Sequence, residues 1–277
     1  MRIALTGASG LVGGWIARGA AQAGHQVTPL SRPRYELGDS PDLGGFDALI
    51  HAAFQHVPGR YRGGEGDDPQ GFVRANLDGS VRLFQAARDA GVGRVIFLSS
   101  RAVHDGHDPG PLADDLPPAP TSLYGEVKAA AEQVLAQMTT PEFRTASLRP
   151  TGVYGSGLPQ KWAGLIRDFL NGTPPPPRIA TEVHGADLAH ATLSVLGDPA
   201  MSGSYNIADL VLDHRDLCAE IAALTDCKTL LPDRADASGL RVPVCTRLHG
   251  LGWRPGGLDL LRRDLPAIVR DAERTTA

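Results

Sequence analysis

The stretch Thr6-Gly7-Ala8-Ser9-Gly10-Leu11-Val12-Gly13 limits most strongly what this chain can fold into. It follows the apolar run Ile3 to Leu5 and opens a segment with apolar residues at helical spacing. Strand, tight turn and helix N-terminus are therefore expected in immediate succession. Gly7, Gly10 and Gly13 let the backbone turn sharply and approach a ligand, while the free N–H groups and positive dipole end of the helix suit an anion. A glycine-rich turn can also be a plain connection. At the head of a βαβ unit, the pattern predicts a pyrophosphate cradle formed by Gly7, Ser9, Gly10, Leu11, Val12 and Gly13.

The rest of the first half repeats the alternation. Short apolar runs at 3–6, 26–31, 48–52, 94–99 and 145–148 are separated by helical patterns at 11–23, 69–90 and 122–138, with Gly24 and Gly91 as stop signals. This predicts an α/β fold with a doubly wound parallel sheet. Further on, a short strand into His184, a helix over 186–196, a strand over 205–207, a helix over 213–224 and a last amphipathic helix over 258–273 are expected. Residues 1–157 are expected to bind a dinucleotide, and residues 158–277 to bind substrate with a partial return to the sheet. The stretch Gln55 to Asp68, with Arg60, Arg62, Glu65 and two aspartates, is either a lid over the substrate or a solvated loop. Prolines 174 to 177 are expected to run as a stiff polyproline connector.

Composition narrows the partners. With 42% hydrophobic and 21% charged residues, the chain has no apolar run of the roughly 18 residues that a membrane span needs. The N-terminus leads straight into the first apolar run, which leaves no room for a signal peptide and predicts a cytoplasmic protein. A net charge of -4 offers no basic field for nucleic acid, so the expected partner is a small molecule. Cys218, Cys227 and Cys245 lack any CxxC pairing and are expected to be reduced, structural thiols. His104-Asp105-Gly106-His107-Asp108 reads as a turn, and no metal site is expected.

Two features carry chemistry. Tyr124 and Lys128 are four residues apart in a helical segment, which puts the phenol and the ammonium on one face. A tyrosine titrates near pH ~10, and a neighbouring cation stabilises its phenolate, so the pair can exchange a proton with a substrate hydroxyl or carbonyl. Ser99 and Ser100 end the strand before it, at the edge where open α/β sheets bind ligands, and one of them is expected to bond the reacting oxygen. At the end of the second strand, Leu30-Ser31-Arg32-Pro33-Arg34 lacks the acid that usually meets the adenine ribose of NAD. Ser31 and Arg32 can instead meet a 2′-phosphate, which favours NADP over NAD unless the arginines are solvated surface charges.

Fingerprint, strand-end serines and the Tyr-x-x-x-Lys pair occur in the order and spacing of the extended short-chain dehydrogenase/reductases, the NAD-dependent epimerase/dehydratase family, which the chain resembles over nearly its whole length. Asp47 to Ala53 resembles the family's strand before the adenine pocket, and Asn76 with Gly79 resembles its Asn-x-x-Gly helix. Val95 to Ser100 resembles the strand that delivers the catalytic serine, Ser100 by register. Arg149-Pro150-Thr151-Gly152-Val153-Tyr154-Gly155 resembles the segment lining the nicotinamide. Glu182 to Ala189 and Leu251 to Pro255 are similar to later landmarks.

The resemblance implies a Rossmann domain with a small C-terminal substrate domain and a Ser100, Tyr124 and Lys128 triad. It implies cofactor contacts from Ala52, Ala53, Pro150 and Val153, with Lys128 on the nicotinamide ribose and Asp39 at the adenine. It also implies a homodimer through the 69–90 and 122–138 helices. Family members that eliminate water carry an Asp-Glu pair where this chain has Arg101-Ala102, which argues against dehydration. Arg101 either clamps a substrate carboxylate or phosphate or is structural, and Arg178 lies where related epimerases hold a diphosphate. The expected activity is an NAD(P)-dependent reductase or dehydrogenase acting on a sugar-derived or other small carbonyl compound. A nucleotide-sugar epimerase is the main alternative, and a non-catalytic NADP-binding sensor a weaker one.

Overall fold

Every residue of strand β1 (Arg2–Thr6) after the first is buried, as a strand covered on both faces requires. The chain is described from a computed structural model over residues 1–33, 35–57, 64–157 and 159–274. Helix α1 (Leu11–Gln22) follows the glycine turn and leads to β2 (Gln26–Leu30), then β3 (Ala48–His51). Helix α2 (Pro69–Val73) passes through a π-helical turn, Arg74–Asp78, into α3 (Gly79–Asp89). Next come β4 (Arg94–Leu98), a 3-10 turn at Arg101–His104, β5 (Gly110–Leu112), α4 (Leu123–Gln137) and β6 (Arg144–Pro150). The rest comprises β7 (Gly152–Tyr154), α5 (Ala163–Leu170), β8 (Ile179–His184), α6 (Gly185–Gly197), β9 (Ser204–Ile207), β10 (Leu210–Asp213), α7 (His214–Thr225), β11 (Arg241–Pro243), α8 (Thr246–Gly250) and α9 (Gly257–Arg274).

The main sheet runs β2-β1-β3-β4-β6-β9 with every neighbouring pair parallel. Strand order reverses between β1 and β3, and ligands of open α/β sheets bind in the crevice at such a switch point. Thr6, His51, Leu98 and Pro150 all end strands at this same edge. Helices α1 and α6 cover one face, where Ile3, Leu5, Ile16, Ile50, Leu188 and Val195 pack together. Helices α3 and α4 cover the other, with Leu49, Leu83, Phe84, Val95, Phe97, Ala131 and Leu135 between them and the sheet. Strand β9 belongs to this sheet although it lies late in the sequence, so the chain returns to the first layer after β8.

A small sheet, β10-β8-β7, starts just beyond Pro150 and supports α5, α7 and α9 around Tyr154, Trp162, Phe169, Leu217 and Ile268. Helix α9 steers the loop after β7: Asp264 accepts from the Ser156 amide at 2.7 Å, and Asp271 accepts from the Gly157 amide at 2.7 Å.

The helix expected over 69–90 is helical throughout 69–89 and contains a π turn. Inside it the Asn76 side chain donates to the carbonyls of Phe72 and Gln55 and accepts from the Gln55 amide, which ties the helix to the segment leaving β3. Prolines 174 to 177 form neither helix nor strand, and Pro175 is buried among them. The pairing of β5 with β11 joins two three-residue strands that each contain proline, too short for an alternating signal. Among the described residues no helix is long and apolar enough to cross a membrane.

Candidate active site

The glycine turn is built by exclusion of side chains. Gly7 has φ +72°, and a Cβ there would lie 2.6 Å from the Ala53 amide nitrogen. A Cβ on Gly13 would overlap the Gly7 carbonyl. Gly10 caps α1 without any side-chain hydrogen bond, so no side chain of the cap satisfies the first amides of the helix. A helix N-terminus with no side-chain cap, behind a turn whose glycines let backbone pack closely on backbone, fits the pyrophosphate of a dinucleotide.

A chain of hydrogen bonds fixes this turn to the neighbouring strand end. Thr6 Oγ1 accepts from the amides of Ala52 and Ala53, each at 3.1 Å, so its own proton goes to His51 Nδ1 at 2.7 Å. The Ser80 hydroxyl donates to the Asn76 carbonyl at 2.5 Å, which leaves its oxygen to accept from His51 Nε2 at 2.9 Å. The tautomer of His51 follows from its partners, a proton on Nε2 and a lone pair on Nδ1. Burial, and then the positive charge of Lys128, pushes the His51 pKa down to about 3, so the ring stays neutral.

Tyr124 and Lys128 lie on successive turns of α4. Ser122 caps that helix by accepting from the Gly125 amide at 3.2 Å, which puts Tyr124 in the first turn, where the helix dipole favours negative charge. A Cβ on Gly125 would lie 2.8 Å from the Ala102 carbonyl, so glycine here lets α4 close against the turn that Ser100 begins. The Lys128 ammonium donates to the Leu98 carbonyl at 2.6 Å, with the rings of Phe54 and Phe97 at 4.3 and 4.6 Å and that of Tyr124 at 6.0 Å. Burial pushes the lysine down to about 7, partly offset by Glu132 one turn further on. Phe54 also meets Tyr124 edge-on at 5.1 Å. Ser100 is partly exposed and caps the 3-10 turn by accepting from the Ala102 amide at 3.2 Å, whereas the Ser99 hydroxyl is buried with no hydrogen-bond partner among the described residues.

The other expected site residues are placed as follows. Ser9, Leu11, Val12, Ala52, Ala53, Pro150 and Val153 lie at or just beyond the C-terminal edge of the main sheet. Ser31 is exposed at the end of β2, and Arg32 pairs with Glu36 at 2.9 Å on a side chain 83% exposed. Arg34, Arg60 and Arg62 lie outside the described residues, as does the middle of the Gln55 to Asp68 stretch. Asp39 is exposed and closes its own turn by accepting from the Glu36 amide at 2.7 Å. Arg101 pairs with Asp105 at 2.9 Å, and Arg178 lies 3.6 Å from Glu182, which also pairs with Lys161. His104 and His107 turn to Arg149 and to the Pro117 carbonyl.

Phe54, Gly125 and the pairing of Thr6 with His51 escaped the residue-level reading. Phe54 follows a recognisable Ala-Ala strand end, and Gly125 follows the tyrosine directly. Only the position of α4 against the Ser100 turn gives either a purpose.

Residues 3–208 match the model of the NAD dependent epimerase/dehydratase family. Over 321 aligned positions the chain is 24% identical to a UDP-glucose 4-epimerase of Corynebacterium glutamicum, covering 98% of this chain and 94% of that one. It is 30% identical over 183 positions to a 2-alkyl-3-oxoalkanoate reductase of Stenotrophomonas maltophilia, covering 57% of this chain and about half of the reductase (52%). The solved structure of RMD from Pseudomonas aeruginosa complexed with NADPH superposes with a TM-score of 0.81 at 26% identity, covering 99% of both chains. A Rossmann sheet with this switch point and a family match over most of the chain agree: the protein belongs to the NAD dependent epimerase/dehydratase family and is a nicotinamide-dependent oxidoreductase or epimerase of the extended short-chain dehydrogenase/reductase type.

Proposed function

We propose that the protein is a reductase or dehydrogenase, preferring NADP, that acts on a sugar-derived or other small carbonyl compound. The observation that carries this reading is Lys128, a buried ammonium held under the Leu98 carbonyl one helical turn from Tyr124 at the sheet edge. The amides at Gly7, Ser9, Gly10, Leu11, Val12 and Gly13 hold the cofactor pyrophosphate, Ala52 and Ala53 flank it, and Ser31 and Arg32 take the 2′-phosphate. Asp39 meets the adenine, Pro150 and Val153 line the nicotinamide, and the cofactor, when bound, supplies hydride exchange.

Lys128 bonds the nicotinamide ribose and lends its positive charge to Tyr124. The phenol gives its proton to the carbonyl oxygen in reduction and takes it back in oxidation, and the α4 dipole stabilises the phenolate between the two. Ser100 holds the same oxygen with its hydroxyl. Arg101 and Arg178 orient the substrate's anionic groups by exchanging their carboxylate partners for it. The working unit is a homodimer that packs through α2, α3 and α4.

A panel of sugar acids, small aldehydes and ketones, and nucleotide sugars, followed by cofactor absorbance and product chirality, tests this. Net oxidation of NADPH by a small carbonyl supports it. Interconversion of nucleotide-sugar stereoisomers without net cofactor change would establish the second reading, an epimerase, which the nearly full-length similarity to a UDP-glucose 4-epimerase favours.

A further inference from the structure

One guanidinium touches three of the elements that form the active site. Arg149, 4% exposed, lies at the end of β6 directly before Pro150. Its Nε faces both carboxylate oxygens of Glu132 at 3.0 and 3.2 Å, and its Nη2 donates to Oε2 at 2.7 Å. Its Nη1 donates to His104 Nε2 at 3.1 Å and to the Asp114 carbonyl at 3.2 Å. Glu132 is four residues after Lys128 on α4, and His104 is the last residue of the turn that Ser100 caps. The lysine helix, the serine turn and the strand end at the nicotinamide segment thus meet on a single planar fork.

Two features argue against stability as the purpose of this arrangement. Buried ion pairs seldom stabilise more than well-packed apolar residues of the same volume, because both charges lose their water. The imidazole adds a further cost. An arginine can only donate, so His104 Nε2 must be the acceptor and the ring proton sits on Nδ1, which is buried with no hydrogen-bond partner among the described residues. Burial, and then the charge of Arg149, pushes His104 down to about 4, so the ring stays neutral. A leucine would remove that orphaned N–H, but it would leave an Nη1–H of Arg149 without its acceptor. What the histidine uniquely supplies is an acceptor at a defined point, which fixes the serine turn to the arginine.

Resting on the triad reading above, we propose that Arg149 is the positioning residue of this active site, its guanidinium holding the Ser100 turn, the Lys128 helix and the strand end at Pro150 in one register. Hydride and proton transfer need donor, acceptor and acid aligned together, and a misplacement of about 1 Å can cost on the order of 10²-fold in rate. Cofactor affinity depends chiefly on the glycine turn, which the network does not touch.

The test compares His104→Leu, His104→Gln, Arg149→Lys and Tyr124→Phe in the full-length protein, with NADPH and the carbonyl compound turned over by the wild type. His104→Leu is expected to lower kcat about tenfold with KM for NADPH within about twofold. His104→Gln, whose amide oxygen can accept in place of Nε2, is expected to restore most of the loss. Arg149→Lys keeps the charge without the fork and is expected to lose about 10²-fold in kcat. Should that variant fail to fold, the two His104 variants decide alone. Unchanged kcat in His104→Leu, a change only in KM or thermal midpoint, or no recovery in His104→Gln overturns the proposal. Full turnover by Tyr124→Phe would instead overturn the triad reading, so the two failures are distinct.

Discussion

The Lys128 ammonium donates its 2.6 Å hydrogen bond to the Leu98 carbonyl from a site closed by the rings of Phe54 and Phe97. A lysine held at about 7, against its ordinary 10.5, makes the unfolded chain the better proton binder between those values. Stability therefore rises with pH across that window, and the cost of the buried charge is fully present below pH 7. Lys128→Met is expected to abolish turnover and to stabilise the cofactor-free protein at neutral pH by on the order of a few kcal/mol, the gain shrinking toward pH ~10. Urea unfolding of both proteins at about pH 6 and pH 9 checks this. A variant less stable than wild type at the lower pH would contradict it.

His51 predicts the behaviour in acid. Its pKa in the fold is about 3, against 6.5 when free, so the unfolded chain takes up a proton that the native ring refuses. The contribution of the neutral ring is complete above pH 6.5 and is lost as pH falls toward 3. His51→Leu leaves Thr6 and Ser80 without their shared partner, at a cost of about 1–3 kcal/mol at neutral pH, but flattens the acid limb of the stability curve. Because Thr6 precedes Gly7, NADPH affinity by fluorescence titration is expected to fall about tenfold, equal to about 1.4 kcal/mol.

Two adjacent glycines of α1 separate cradle from helix. Gly13→Ala drives a methyl group into the Gly7 carbonyl and is expected to lower cofactor affinity at least tenfold and stability by about 1–3 kcal/mol. Gly14 has its nearest neighbours at 3.6 Å, so Gly14→Ala is expected to raise stability by up to ~1 kcal/mol through helix propensity. Equal effects at the two positions would show that the cradle is not shaped by this close approach.

Arg32→Ala tests the 2′-phosphate assignment. Its partner Glu36 and the side chain are both well exposed, so little stability is at stake. The ratio of NADP to NAD affinity is expected to fall several-fold, and an unchanged ratio removes Arg32 from the site.

The parts of this molecule set by local pattern were legible in the sequence. The glycine turn, the apolar runs of β1, β3, β4 and β6, and the one-turn spacing of Tyr124 and Lys128 are properties of short segments, and they led to the parallel sheet and its loaded edge. What stayed hidden depends on tertiary contact. Arg149 meets Glu132 and His104 across sequence separations of 17 and 45 residues, and β5 meets β11 with no periodic signal. The π turn within the 69–90 helix holds Asn76, whose side chain bonds the Gln55 backbone from another segment. Arg101 and Arg178 meet Asp105 and Glu182, each four residues further along, so these two pairs are local and needed no tertiary contact to be read.

The proposed function rests on Tyr124 moving the proton that accompanies hydride transfer. Its most direct measurement is single-turnover oxidation of bound NADPH by the active carbonyl compound, in wild type and in Tyr124→Phe. The phenylalanine variant is expected to bind NADPH with wild-type affinity and to lose at least about 10²-fold in the rate of cofactor oxidation. A variant that oxidises NADPH at the wild-type rate would contradict it.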